Sequence, residues 1–192
     1  MDERSQNSFW KEIVKFTFIT LVVVIPFRIY IAQPFIVSGA SMDPTFYDGE
    51  YLIVDQVSKR IEPPERESVV IFRYPEDKSK FFIKRVIGLP DETVQIHDGI
   101  VTIFNEDYPQ DSTDGLTLDE PYVADDNKKD DDMIITLSED EYFVMGDNRL
   151  GSFDSRAWGP VPKNLIVGRP VVRLLPIDRA GVLPGNYQVH AE

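Results

Sequence analysis

Residues 13–32 read IVKFTFITLVVVIPFRIYIA, twenty residues whose only charges, Lys15 and Arg28, lie toward the ends. A helix here would be apolar all round, with no polar face to show water, which argues against a helix packed on a soluble core. Twenty helical residues span about 30 Å, the hydrocarbon thickness of a bilayer. The uncharged centre, 16–27, has twelve residues, so Lys15 and Arg28 have to reach back toward the headgroups. Phe9, Trp10 and Tyr30 suit the two interfaces, and Pro26 would kink the helix without breaking it in lipid. A cleavable export signal has an apolar run of this length, yet Tyr30 is bulky where a cleavage site needs a small residue. The Thr, Ile and Val content also keeps a strand in play. We expect one uncleaved transmembrane helix.

The charges around this stretch orient it. Arg4, Lys11 and Lys15 flank its start, whereas beyond Arg28 the next base is Lys59. The positive-inside bias then makes 1–12 a short cytoplasmic N-terminus, 13–37 an anchor with its juxtamembrane segment, and 38–192 an extracytoplasmic domain. The whole chain of 192 residues has 33 Asp+Glu against 20 Lys+Arg, a net charge of −13. The first 37 residues carry a net of +1 and the other 155 a net of −14. So acidic a domain excludes nucleic acid as a partner. With no cysteine, disulfides, thiolate metal sites and cysteine nucleophiles are excluded too. Two histidines, His97 and His190, are too few for a histidine metal centre, and no metal or other cofactor is expected.

The acidic region reads as β. Runs of β-formers at 51–57, 68–74, 81–87, 93–96, 100–104, 133–137, 142–145 and 171–175 alternate with Gly and Pro turn signals. Within QIHDGIVTIF, Asp98-Gly99 supplies the positive-φ pair of a tight hairpin. The expected fold is mostly β, an antiparallel sandwich or barrel. Residues 105–132 stand apart, with eleven acids, two lysines and few large apolar groups. They read as a solvated surface insertion, and they lack the Gly and closing Glu of a calcium-binding loop.

Three places could carry chemistry. Ser41, in S-G-A-S-M-D-P-T, lies on irregular backbone between Gly39 and Pro44 and could present its hydroxyl. A serine nucleophile needs a base within hydrogen-bond reach, and neither His97 beside its turn nor His190 in the tail is placed to serve. Lys84 is the alternative. It sits inside the strand pattern F-F-I-K-R-V-I-G-L-P, where Lys84 and Arg85 alternate, one facing inward and the other water. On an apolar face its amine loses hydration and becomes a usable base near neutral pH. The third place is G-D-N-R-L-G-S-F-D-S-R-A-W-G-P-V, 146–161. There Asp147, Arg149, Asp154 and Arg156 form an acid–arginine mesh, and Ser152 and Ser155 are short enough to orient an amine.

In this order the motifs resemble the type I signal peptidase family, membrane-anchored proteases with a serine–lysine dyad. The resemblance is carried by the N-terminal span, S-G-A-S-M-D-P-T (38–45), Y-L-I-V (51–54), F-I-K-R-V-I-G-L-P-D-E (82–92), D-E-P-Y (119–122) and Y-F-V-M-G-D-N-R-L-G-S-F-D-S-R-A-W-G-P-V-P (142–162). It implies Ser41 as nucleophile and Lys84 as general base, with Ser152 hydrogen-bonding the Lys84 amine. It implies Asp154 and Arg156 as a buried supporting pair, with Asp147 and Arg149 in the same mesh. The Ser41 main-chain N–H would be one oxyanion donor; Gly39 holds the register of the second, and Ser38 is one position off. Met42 and Ile83 would help line small pockets for the substrate. The implied fold is a coiled antiparallel-sheet core, of the type shared with LexA-like proteins, carrying a small inserted cap. The implied partners are exported preproteins and the bilayer of the plasma membrane, and the implied state is a monomer.

Other readings are open to test. A self-cleaving LexA-like repressor shares the chemistry but carries a helix-turn-helix where this chain is apolar. A Ser-x-x-Lys penicillin-binding enzyme is disfavoured because the one such tetrapeptide, S-F-W-K (8–11), lies in the flank of the apolar stretch and outside the β region. A catalytically inactive membrane-anchored binding domain would have lost Ser41 or Lys84, and both are present.

Overall fold

Eight β-forming runs separated by turn residues need partners on both sides, and an antiparallel arrangement supplies them through short connections. The computed structural model describes residues 3–24, 32–57, 62–110, 115–127 and 131–186. Among these, strands β1 (Ala32–Ile36), β2 (Tyr51–Asp55), β3 (Val69–Arg73), β4 (Phe81–Gly88), β5 (Thr93–His97) and β6 (Ile100–Phe104) come first. β7 (Leu116–Thr117), β8 (Met133–Thr136), β9 (Glu141–Met145), β10 (Val161–Pro162), β11 (Ile166–Leu175) and β12 (Gly181–Val182) follow. The main sheet runs β1-β2-β11-β3-β4-β9-β10, with β12 on β11; a second sheet of four strands runs β7-β6-β5-β8. Every pairing is antiparallel.

All eight expected strands form, and the Asp98-Gly99 turn has the positive φ values, 49° and 72°, that the hairpin requires. β1 and the first half of β11 were hidden in the sequence by their prolines. Pro34 is tolerated because β1 is an edge strand, paired only with β2. Pro170 is tolerated inside a central strand because the register slips between Pro170 and Val172. Gly168 is required there by closeness alone, since a Cβ would collide with the Asp55 carbonyl on β2.

Both faces of β4 are covered. Val86 packs with Val70, Phe72, Tyr142 and Val144 on one side, while Ile87 packs with Val94, Ile103, Phe143 and Met145 toward the second sheet. This corrects the expectation that one of Lys84 and Arg85 faces water. Lys84 is 4% exposed and Arg85 0%, because β4 lies between β3 and β9 with packed layers on both sides.

The N-terminal segment also differs from expectation. Helix α1 spans Glu3–Ile19 and continues into a π-helical turn, Thr20–Val24. Among the described residues no helix is long and apolar enough to cross a membrane. α1 starts well before residue 13, in the polar run ERSQNS, and residues 25–31 of the apolar stretch lie outside the described residues. Trp10, Val14, Phe16, Phe18 and Leu21 are exposed on it. The main sheet begins at Ala32, ahead of the boundary placed at residue 38.

Candidate active site

Ser41 opens a tight turn, 41–45, between β1 and β2, and Asn148 anchors it. The Asn148 N–H donates to the Ser41 carbonyl at 3.2 Å and its side-chain amide to the Ala40 carbonyl at 3.0 Å. Gly146 lets this approach happen, because a Cβ there would overlap the Ser41 carbonyl and the Ser152 side chain. Lys84 comes from the middle of β4, 43 positions away in the chain, and its Nζ lies 2.7 Å from Ser41 Oγ. The amine also donates to the Ile83 carbonyl at 3.0 Å and stands 5.5 Å from the centre of the Phe82 ring. Burial brings its pKa down to about 8; Arg156 adds to the fall, while Asp154 and Asp147 oppose it. An amine poised near neutral pH against a serine hydroxyl can take that hydroxyl's proton and return it to a leaving group.

The pair opens into a cleft of about 310 Å³ lined chiefly by Phe35, Ile36, Leu52, Phe81, Ile83 and Phe153. Phe35 and Phe81 meet edge to face, with centroids 5.2 Å apart. Of the two expected pocket residues, Ile83 is in this lining and Met42 is not. Met42 is fully buried with Val37, Phe46, Leu52 and Val69, because the 41–45 turn points it inward as Ser41 points out. Ser38 and Gly39 both lie on the cleft wall. The Gly39 N–H is already engaged by the Asp48 carboxylate at 2.7 Å, whereas Ser38 is exposed.

The 146–156 loop forms the other wall. Arg156 grips Asp154 with Nε and Nη2, each at 2.8 Å, and the Gly146 N–H donates to the same carboxylate at 3.0 Å. These bonds hold the Asp154 carboxyl below the ordinary range against the opposing effect of burial. Ser152 Oγ is buried without a hydrogen bond of good geometry. It sits beside Gly146 and Asp154, and the implied bond to the Lys84 amine is not formed. The Asp147 and Arg149 side chains take other partners. Asp147 takes Arg85 through two bonds, 2.8 and 2.6 Å, and also the Thr45 hydroxyl. Arg149 takes Glu120, with Nη1 at 2.8 Å from Oε2.

That last pair corrects the reading of 105–132 as a solvated insertion. Glu120 and Arg149 have side chains only 8% and 4% exposed. Tyr122 is buried under the Arg85 guanidinium, 3.9 Å from its ring centre. Asn127 donates to the Asp147 carbonyl at 3.1 Å, and Asp131 accepts from Arg156 at 2.9 Å. The insertion is docked against the back of the loop that walls the dyad. Sequence reasoning missed Arg85, Thr45, Glu120, Asn127, Asp131 and Asn148. The D-E-P-Y match was the one signal that could have found Glu120 and Tyr122.

A serine hydroxyl against a buried amine, in a mostly β chain with an apolar cleft, has the parts that a hydrolase needs. The family model "Signal peptidase, peptidase S26" matches residues 10–175. The chain belongs to this family, and it is a peptidase. It is 33% identical to the "Probable signal peptidase I-2" of Synechocystis sp. over 98% of this chain and 84% of that one. It is 34% identical to the signal peptidase I of Bacillus licheniformis over 82% and 84% of the two chains. A solved signal peptidase I from Enterococcus faecalis V583 is 30% identical, covers 56% of this chain and 97% of its own, and superposes with a TM-score of 0.46.

Proposed function

We propose that this chain removes N-terminal signal peptides from exported preproteins, cutting after small residues at −1 and −3. The observation that carries the mechanism is the 2.7 Å approach of a buried lysine amine to Ser41 Oγ at the floor of an apolar cleft. Neutral Lys84 takes the Ser41 proton as Oγ attacks the scissile carbonyl, and the tetrahedral oxyanion is held by the Ser41 N–H with Ser38 as second donor. The Lys84 ammonium then gives its proton to the leaving amine as the C–N bond breaks. A water, deprotonated by the same amine, attacks the ester and frees Ser41. Asp154 with Arg156, and Asp147 with Arg85, hold the two walls in place, and Ser152 packs between Gly146 and Asp154. The tight aromatic lining favours small side chains next to the dyad.

Membrane anchoring belongs to the same proposal. Residues 13–32 would confine the protein, as a monomer, to the plasma membrane where signal peptides already reside, raising the effective concentration of each for the other. Purified protein is expected to cleave a preprotein with an A-x-A site, and Ser41→Ala and Lys84→Ala are each expected to abolish cleavage. Full activity in either variant would sink the dyad. Alkaline phosphatase fused after Glu192 is expected to be active in a bacterial host; an inactive fusion with the protein present overturns the topology.

A further inference from the structure

Thr45, at the end of the turn that begins with Ser41, is held from two sides. Its hydroxyl donates to Asp147. Its carbonyl accepts from Arg173 Nη2 at 2.7 Å and from Arg179 Nη2 at 3.1 Å, and Arg179 Nη2 also reaches the Pro44 carbonyl at 3.1 Å. These carbonyls would otherwise be left bare at the end of the turn.

Two guanidinium groups on one spot repel each other, and Glu50 is what lets them share it. Its carboxylate lies 3.0 Å from Arg173 Nε and 2.8 Å from Arg179 Nη1, with its side chain 1% exposed. Glu50 is itself fixed by the backbone, since its carbonyl accepts from the Val37 N–H at 2.9 Å. Arg173 lies on β11 opposite Leu52, and Arg179 closes the short 3-10 turn Ile177–Arg179. Their flat faces cover Phe46 at 4.8 Å and Tyr47 at 4.0 Å, the two residues that follow Thr45. None of the three lines the cleft.

We infer that Glu50 is a positioning residue for Ser41: through Arg173 and Arg179 it fixes the carbonyl end of the 41–45 turn and so keeps Ser41 Oγ within reach of the Lys84 amine. The inference rests on the serine–lysine reading above. A buried Arg–Glu–Arg cluster can also be purely a matter of fold stability, and the two roles separate in kinetics. A misplaced nucleophile lowers kcat while leaving substrate binding intact.

The test uses the full chain in detergent micelles with an A-x-A preprotein. Glu50→Gln is expected to lower kcat about 10- to 100-fold with KM within about two-fold, and Glu50→Asp to recover part of the loss. Glu92→Gln is the comparison, because it removes a carboxylate bound by Arg66, away from the Ser41 turn. It is expected to lower the melting temperature and leave kcat unchanged. Wild-type kcat in Glu50→Gln, a loss confined to KM, or an equal kcat loss in Glu92→Gln at matched melting temperature overturns the inference. Arg179→Ala leaves Glu50 paired with Arg173 and decides the matter if Glu50→Gln does not fold. It is expected to lose about 3- to 10-fold in kcat, and no loss overturns the role. If wild type does not cleave, or Ser41→Ala does, the serine–lysine reading falls instead. If wild type cleaves, Ser41→Ala does not and Glu50→Gln is unaffected, the positioning role alone falls.

Discussion

Lys84, as the proposed base, would tie activity and stability to pH in the same sense. Its pKa is about 8 in the folded chain against an ordinary 10.5. Below about 8 both folded and unfolded chains hold the proton, and the fold bears the full penalty of a buried ammonium, about 3 kcal/mol. Between the two values the unfolded chain holds a proton that the folded one has released, so stability climbs with pH. Lys84→Met is therefore expected to unfold at higher urea than wild type at pH 7, with the gap closing toward pH 10; a constant gap contradicts the assignment. In wild type, kcat/KM is expected to rise with pH through an inflection near 8, as the neutral amine appears. Asp147 supports the charged form of Lys84, so Asp147→Asn is expected to move that inflection to lower pH. It also strips the counter-charge from Arg85 in a pair with both side chains 0% exposed, a loss of about 3–5 kcal/mol read by urea unfolding.

At the level of elements, the docked insertion and the 146–156 loop form one mechanical unit. Glu120→Ala leaves the Arg149 charge without its carboxylate in a buried contact. Amide exchange in 119–123 and in 146–150 is expected to speed up together, by about 100-fold, while the β5–β6 hairpin keeps its protection. Faster exchange in the insertion alone means the two segments are independent. The strands around the site were legible because their alternation and turns are local: Asp98-Gly99 declares its hairpin, and Lys84 is conspicuous between Ile83 and Val86. What could not be read were partners that meet only in three dimensions. Arg85 finds Asp147 across 62 positions, and Arg149 finds Glu120 across 29. Acidic composition made the insertion look solvated, yet its few shielded groups, the Glu120 carboxylate, Tyr122 and Val123, decide where it sits. β1 was lost for another reason, since Pro34 lies inside it and no turn signal separates it from the apolar stretch.

For the whole molecule, the start of β1 determines where the N-terminal segment can be cut away. Ala32 to Ile36 pair residue by residue with Asp55 to Tyr51, and Phe35 and Ile36 line the cleft beside Ser41. A chain trimmed to residues 32–192 keeps those contacts, whereas one trimmed to 38–192 loses a strand and one wall of the cleft, leaving the outer edge of β2 unpaired. The longer form is expected to melt within a few degrees of the full chain and to cleave a short soluble A-x-A peptide with wild-type kcat. The shorter form is expected to melt lower and to lose most of its activity, because Phe35 no longer packs against Phe81. On preproteins embedded in vesicles, the 32–192 form is expected to fall about 100-fold below the full chain, since residues 13–32, as the proposed anchor, would place enzyme and signal peptide in the same plane. Equal rates for the two on vesicles would show that 13–32 contributes nothing to finding substrate. Equal activity of the two trimmed forms on the peptide would show that β1 contributes nothing to the cleft.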